Sequence, residues 1–317
     1  MLSSVGLWAN GRLAQPFRWC LALSAPAVVG VLIALRWSTV DAGADAAGGA
    51  DVVWLVVGLI AATAGWVAAS CCQYGSTSAR LPVARLFAGQ VAASFVGHVL
   101  PAGMGSVAVG ARVLRRCGLS RSEVAAAVGL STCAAAVVHV LAMVGLLLAD
   151  PGFSHLSRGG LVAMVAAAAV VAAALWLAWS VVARRTPRAA AWLSGVVAHG
   201  RAVLSAPSRS IWLWVGAAGQ PALRIVVLAA ATRSLGLATP VLTVALVYLG
   251  ASAVSAVAPS PGGFGGLDVA LLAAFTAVGA TSRDAVAAIV LYRLVTVWLL
   301  MAPGAAVFLV LLRRKAI

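Results

Sequence analysis

The sequence predicts an all-α integral membrane protein with about six full transmembrane helices and two re-entrant helical hairpins in an inverted-repeat arrangement. Three observations lead there. The chain is 63% hydrophobic and 9% charged, against about 25% charged residues in an average soluble domain. Uncharged runs occupy 52–79, 86–111, 124–149, 159–183 and 234–267. Each is long enough, or nearly so, to cross a hydrocarbon core of roughly 30 Å, which takes about 20 helical residues. One such run fits a buried helix, but a 317-residue globule has too little interior for five. Finally, two of the runs are broken near their middle by Pro and Gly.

In chain order, helices are expected at 19–36, 52–72, 123–149, 160–182, 210–232 and 284–312. Arg12 and Arg18 precede an apolar run from Trp19 to Leu35, and small residues follow at 42–50, a pattern shared with signal peptides. The run is long for that role and closes on Arg36-Trp37, an interface anchor, so a retained first membrane helix is expected. The region 86–113 is broken at Leu100-Pro101-Ala102-Gly103-Met104-Gly105, and 241–280 at the stretch from Pro259 to Gly266. Residues 86–99 make about 21 Å of helix and residues 268–280 about 20 Å, too short to cross. Proline removes a backbone donor and blocks helix continuation, and glycine permits sharp turns. Each region is therefore expected to run half-helix, turn, half-helix. The turns would be formed by Pro101, Gly103 and Gly105 and by Pro261, Gly262, Gly263 and Gly265. Such a hairpin is tolerated at membrane depth only where protein or water covers its backbone. The whole of 1–317 reads as one polytopic membrane domain, with a first half at about 19–149 and a second at about 160–312.

The net charge of +15 comes from 22 Lys and Arg against 7 Asp and Glu. In a soluble chain this balance would suggest nucleic acid. Here the bases lie between apolar runs, so membrane orientation accounts for them and no nucleic-acid partner is expected. With the N-terminus inside and both hairpins re-entrant, sixteen bases fall inside. Four fall outside (Arg36, Arg158, Arg233, Arg283), and Arg224 and Arg293 fall within spans. If only one broken region crossed fully, every later loop would flip; if both crossed, the loops between them would. Two hairpins entering from opposite faces keep the bias, with both termini cytoplasmic in a bacterial inner membrane. The halves share little sequence identity, so the repeat is one of topology. The five cysteines show no CxxC pair and no metal spacing, and read as small apolar fillers.

Asp268 closely follows the second glycine turn and is the only acid within a membrane segment apart from Glu123 and Asp284, which stand at helix starts. A carboxylate there is costly and marks function by default; it would cap a half-helix, pair with a buried arginine or help hold a cation. Arg293 and Arg224 sit too far from helix ends to snorkel. Guanidinium forks onto two phosphate oxygens, so a phospholipid or polyprenyl-phosphate-linked lipid is the expected guest. The headgroup path is assigned to Arg293, Arg224, Asp268, His98 and Arg112. The structural alternative is an Arg293–Asp268 pair that holds the hairpin in place, and both roles are compatible. His98 either lines the cavity or is a satisfied core histidine. His139 is expected in the core. Arg112 reaches a headgroup or anchors at the interface. The segment 184–209 mixes five Arg with Trp192, Leu193, Val196 and Val197. It reads as a positive-inside connector, or as a contact with anionic lipid on the inner leaflet. There are no paired carboxylates, GxSxG, HExxH or phosphate-cradling Walker loop. No enzymatic activity, metal or cofactor is expected.

The stretch from Ser255 through Pro259-Ser260-Pro261-Gly262-Gly263-Phe264-Gly265-Gly266-Leu267-Asp268, followed by Tyr292-Arg293 and Pro303-Gly304, resembles the lysylphosphatidylglycerol synthetase transmembrane-region family, the flippase-like domain proteins. The element from His98 through Pro101, Gly103 and Gly105 to Arg112 is similar to the family's first turn, with His98 where Asn is usual and Asp268 where Glu is usual. The charged pair frequent in the helix after the first hairpin is missing, since Leu130-Ser131-Thr132 offers none. The resemblance implies a lipid-translocating membrane domain without aminoacyl transfer. Two rival readings stand beside it: an integral-membrane transferase acting on lipid through Asp268, His98 and Glu123, and a non-catalytic partner of a cell-envelope biosynthesis enzyme.

Overall fold

The computed structural model describes residues 49–99, 104–149, 187–257, 266–314 and 317. The expected helices 19–36 and 160–182, and the turn residues Pro101, Gly103, Pro261, Gly262, Gly263 and Gly265, lie outside them. Every regular element among the described residues is helical: α1 Val52–Gly75, α2 Val83–Val99, α3 Met104–Arg116, α4 Arg121–Ala149, α5 Pro187–Leu204, α6 Pro207–Ser234, α7 Val241–Val257, α8 Gly266–Ala277, α9 Ser282–Arg293 and α10 Leu299–Arg313. The last two are joined without interruption by a π-helical segment, Leu294–Trp298. Four stretches are long and apolar enough to cross a membrane: Val52–Gly75, Arg121–Ala149, Pro207–Ser234 and the continuous Ser282–Arg313. They match the expected spans 52–72, 123–149, 210–232 and 284–312.

The helices start where capping chemistry allows. Asp51 accepts the Val53 amide at 2.8 Å and opens α1. Ser120 and Glu123 form a reciprocal box before α4: the Ser120 amide donates to Glu123 Oε2 at 2.7 Å, and the Glu123 amide to Ser120 Oγ at 3.2 Å. Thr281 accepts the Asp284 amide and opens α9. Pro207 takes the first turn of α6, where its missing N–H costs nothing.

Small residues set the closest helix pair. Along α1 and α6, Gly58 faces Ala230, Ala68 faces Gly219, Cys72 faces Gly216, and Gly75 faces Leu213. Numbers rise on one helix as they fall on the other, so the pair is antiparallel. A Cβ on Gly75 or Gly216 would collide with the facing backbone. Apolar side chains gain nothing by leaving lipid, so backbone approach and dispersion carry such an interface. One end of the pair is tied by the Asp51 amide on the Ser234 carbonyl at 2.8 Å. At the other, Arg209 donates to the Tyr74 and Ala79 carbonyls and stacks 4.0 Å over the Tyr74 ring.

The same device joins α2 to α3. Gly89 meets Val113, Gly97 meets Ser106, and Gly105 meets the Val96 carbonyl, which again makes the pair antiparallel. Gly105 was expected in the turn. The structure corrects that: α3 begins at Met104, and Gly105 is the helical position where any Cβ would strike α2. The α2–α3 pair rests on α10, where Gly304 admits Phe95 and Val91, and Phe95 packs on Phe308 at 5.8 Å. α7 packs on α8, and α8 on α9. The 184–209 connector contains a helix, α5, that the sequence reading did not place. It is docked on the bundle, with buried His199 donating to the Ser76 carbonyl at 3.2 Å.

Four apolar clusters result among the described residues, two of them large. One joins Leu86, Phe95, Val113 and Leu114 to Met301 and Phe308; the other joins Val227, Leu228, Val247, Leu271 and Phe275 to Leu291 and Val295. The basic residues separate by end. Arg85 reaches the Arg116 carbonyl, and Arg209 sits over Tyr74, at the end where α1 finishes. Arg233 lies over Trp54 at the end where α1 starts.

Replacing Gly216 by Ala should destabilise the detergent-purified protein by about 1–3 kcal/mol, the usual cost of overpacking. Gly129, which has nothing within 4 Å of its would-be Cβ, should tolerate Ala, with a gain of up to about 1 kcal/mol in helix propensity. Thermal unfolding of the two variants checks the contrast.

Candidate functional site

Four helices of the second core converge on one polar cluster. Arg293 closes α9 and is buried there, its side chain only 7% exposed. Its Nε donates to Asp268 Oδ1 at 2.6 Å. Asp268 stands in the first turn of α8, where the helix dipole also favours a carboxylate. It therefore both suits the helix dipole and pairs, and the pair pins the start of α8 to the end of α9, 25 residues further along. The π segment starts at the next residue, and Thr296 within it donates to the Tyr292 carbonyl at 2.7 Å. π-bulges concentrate at functional sites because they re-aim the flanking side chains.

Tyr292 is 1% exposed. Its ring lies 6.4 Å from that of Tyr248 on α7, tilted by 55°. Arg224 on α6 faces both tyrosines. The cluster is thus Arg224, Tyr248, Asp268, Tyr292 and Arg293, drawn from α6, α7, α8 and α9.

Arg224 is exposed to solvent or lipid along its side chain. Residues three, four and seven apart share a helix face, and on the face of Arg224 the residues Ala217, Val227, Leu228 and Ala231 are all buried. The opposite face, with Ala218, Ala222 and Val226, is the exposed one. Arg224 is therefore an exposed cation on the helix face that otherwise packs into the bundle.

Of the five residues expected on the headgroup path, Arg293, Asp268 and Arg224 come together. His98 is half-buried in the last turn of α2, and Arg112 is exposed on α3, one turn before Arg116. Both belong to the pair of helices built on the other core. His139 donates to the Leu249 carbonyl at 3.1 Å, a packing role as expected. Gln90, beside Gln73 at 2.6 Å, and Trp66, donating to Ser94 at 3.2 Å, tie α2 to α1. Tyr248 was not singled out from the sequence. A phenol inside the uncharged run 234–267 was its one available signal.

These features define a multi-pass helical membrane protein that keeps a largely buried ion pair, with a further arginine beside it, among apolar helices. The family model for the lysylphosphatidylglycerol synthase transmembrane region matches residues 7–304. The chain belongs to that family, a membrane domain linked to lipid handling. No curated protein matches the chain.

Removing one partner of a buried pair strands the other charge, at a cost of about 3–5 kcal/mol. Asp268→Asn should lower the thermal midpoint of the purified protein accordingly. The double variant Asp268→Asn/Arg293→Gln should be more stable than Asp268→Asn alone, since no charge is left unmatched. A thermal-unfolding double-mutant cycle reads this directly.

Proposed function

We propose that this protein moves a lipid or lipid-linked precursor across the bacterial cytoplasmic membrane, binding an anionic headgroup through buried arginine, and that it does so without catalysing a covalent reaction. The reading is carried by the cluster of Arg224, Asp268 and Arg293 inside a bundle of apolar helices. Charged side chains at membrane depth are expensive and persist where a polar guest or partner uses them. A headgroup crossing hydrocarbon meets the same desolvation cost, and a polar cluster in the bundle lowers it. Membership of a lipid-linked membrane family points the same way.

The arrangement that fits this activity has about six crossing helices, with α2–α3 and α7–α8 as two re-entrant hairpins of an inverted repeat. Transporters of that plan place the guest at the repeat interface, near the bilayer midplane. The end carrying Arg85, Arg116 and Arg209 then faces the cytoplasm, as positive-inside bias requires, together with both chain termini. The guest is a phospholipid or a polyprenyl-phosphate-linked lipid.

Reconstituted into liposomes with headgroup-labelled lipids, the protein should accelerate transbilayer movement well above empty vesicles. Arg293→Ala, at equal incorporation, should cut the protein-dependent rate about tenfold or more, the scale set by losing one charge-assisted contact. No movement above empty vesicles across several anionic and zwitterionic headgroups would overturn translocation.

Topology has its own check. In a cysteine-free background, Arg80→Cys and Arg121→Cys should label from one face of the membrane, and Arg233→Cys and Arg283→Cys from the other. Labelling that separates the members of either pair would remove the re-entrant arrangement.

A further inference from the structure

We propose that this polar cluster is selective for a headgroup carrying one net negative charge on a phosphodiester, held by Arg224 together with the hydroxyls of Tyr248 and Tyr292, while Asp268 and Arg293 serve as a positioning pair. This rests on the lipid-path reading of the same site and assigns its chemistry.

Charge comes first. Among the described residues the cluster holds two guanidinium groups and one carboxylate. The carboxylate is committed to Arg293 at 2.6 Å, so one positive charge, on Arg224, remains to be matched. In a poorly hydrated interior an unmatched charge is costly, and the guest that restores neutrality brings one negative charge. A phosphodiester does so. A phosphomonoester approaching two negative charges overshoots. A zwitterionic headgroup brings a cation as well, for which the described cluster has no second carboxylate.

Access and geometry separate the two arginines. Arg293 is buried and engaged, whereas Arg224 is exposed on an otherwise buried helix face. Of the two, Arg224 is the one exposed enough to present a fork of donors to an incoming phosphate while the ion pair stays in place. Tyr292 and Tyr248 lie alongside it, their rings 6.4 Å apart. Each hydroxyl can donate as well as accept, so both can turn toward a phosphate oxygen. Arginine matters in place of lysine because the planar fork matches two oxygens at once.

Binding to detergent-purified protein, followed by ligand-induced thermal shift and native mass spectrometry, tests this apart from transport. The probes are dioleoyl phosphatidylglycerol and a short-chain polyprenyl phosphoryl-glucose, both monoanionic phosphodiesters from different lipid classes, with phosphatidylcholine and phosphatidic acid as comparators. At least one of the two phosphodiester anions should bind about tenfold more tightly than phosphatidylcholine, and whichever is tighter identifies the source. Arg224→Gln should erase that preference. Arg224→Lys should restore part of it, since charge returns without the fork. Tyr248→Phe, which removes one oxygen and keeps the ring, should weaken the anion severalfold even if Arg224→Gln fails to fold. Arg233→Gln, at the outer end of α6, should bind as wild type does. Equal binding of phosphatidylcholine and both anions, or anion binding unchanged in Arg224→Gln and Tyr248→Phe, would overturn the proposal. A protein that binds the anion through Arg224 yet moves no lipid in liposomes would overturn translocation and leave this assignment standing. One that moves all headgroups alike would do the reverse.

Discussion

The structure depends on one neutralised charge. Arg293 is buried in the middle of the longest apolar helical path, Ser282–Arg313, where a lone guanidinium would not be tolerated. Asp268 makes it tolerable, and in doing so dictates where α8 must begin and how α8 and α9 must lie side by side. A carboxylate that only capped a helix would leave that docking free. A carboxylate that also answers a guanidinium makes α8 and α9 a unit. Burying both charges is costly, and good geometry with additional hydrogen bonds is what repays the cost. The contact is short, Asp268 retains 25% exposure, and the α8 N-terminus adds its dipole. The pair is better understood as an organising element than as a net source of stability.

Around that fixed point, glycine does the packing. Between helices in lipid no hydrophobic gain is available, so contacts must be close to count. Gly75, Gly216 and Gly219 bring α1 and α6 together, Gly89, Gly97 and Gly105 bring α2 and α3 together, and Gly304 seats the α2–α3 pair on α10. The path α9–π–α10 connects the two cores: its first part lies in the core with Leu271 and Phe275, its last in the core with Phe95 and Leu114. The π segment sits at the change of partner. An added residue in the turn rotates the following helix relative to the preceding one, so Arg293 can face α8 while Gly304 faces α2 on a single continuous helix.

Much of this was readable in the sequence because it depends on length, hydropathy and charge. The four spans that fall within the described residues were found within a few residues, since an uncharged run and its flanking caps mark a membrane helix directly. The breaks near 101 and 261 marked the short helices for the same reason. Asp268, Arg293 and Arg224 were found because a charge inside an apolar run is conspicuous. What failed depended on contacts between distant residues. Gly105 looked like a turn residue, because nothing local distinguishes a glycine needed for backbone freedom from one needed for a neighbour's carbonyl. α5 was missed because a mixed basic and apolar connector has no strong period until His199 docks on Ser76. Tyr248 was passed over because a single phenol in an apolar helix is ordinary; its meaning comes from Tyr292 and Arg224, 44 and 24 residues away in the chain. His98 and Arg112 were grouped with the other site residues by proximity to a Pro/Gly break, a criterion that cannot say which core a helix joins.

The two arginines show how one residue type serves opposite ends within a single site. A guanidinium that must remain in place needs a partner of fixed geometry from the protein itself, and Arg293 has it. On the proposed reading, a guanidinium that must exchange partners needs contacts it can leave cheaply, and Arg224 faces phenols and, among the described residues, no carboxylate. Had Arg224 owned a carboxylate, a passing anion would have to displace a full charge. Had Arg293 lacked one, the empty protein would carry two unmatched charges and α8 would lose its anchor. On the proposed reading, one committed pair and one loosely held cation would solve the folding problem and the guest problem separately.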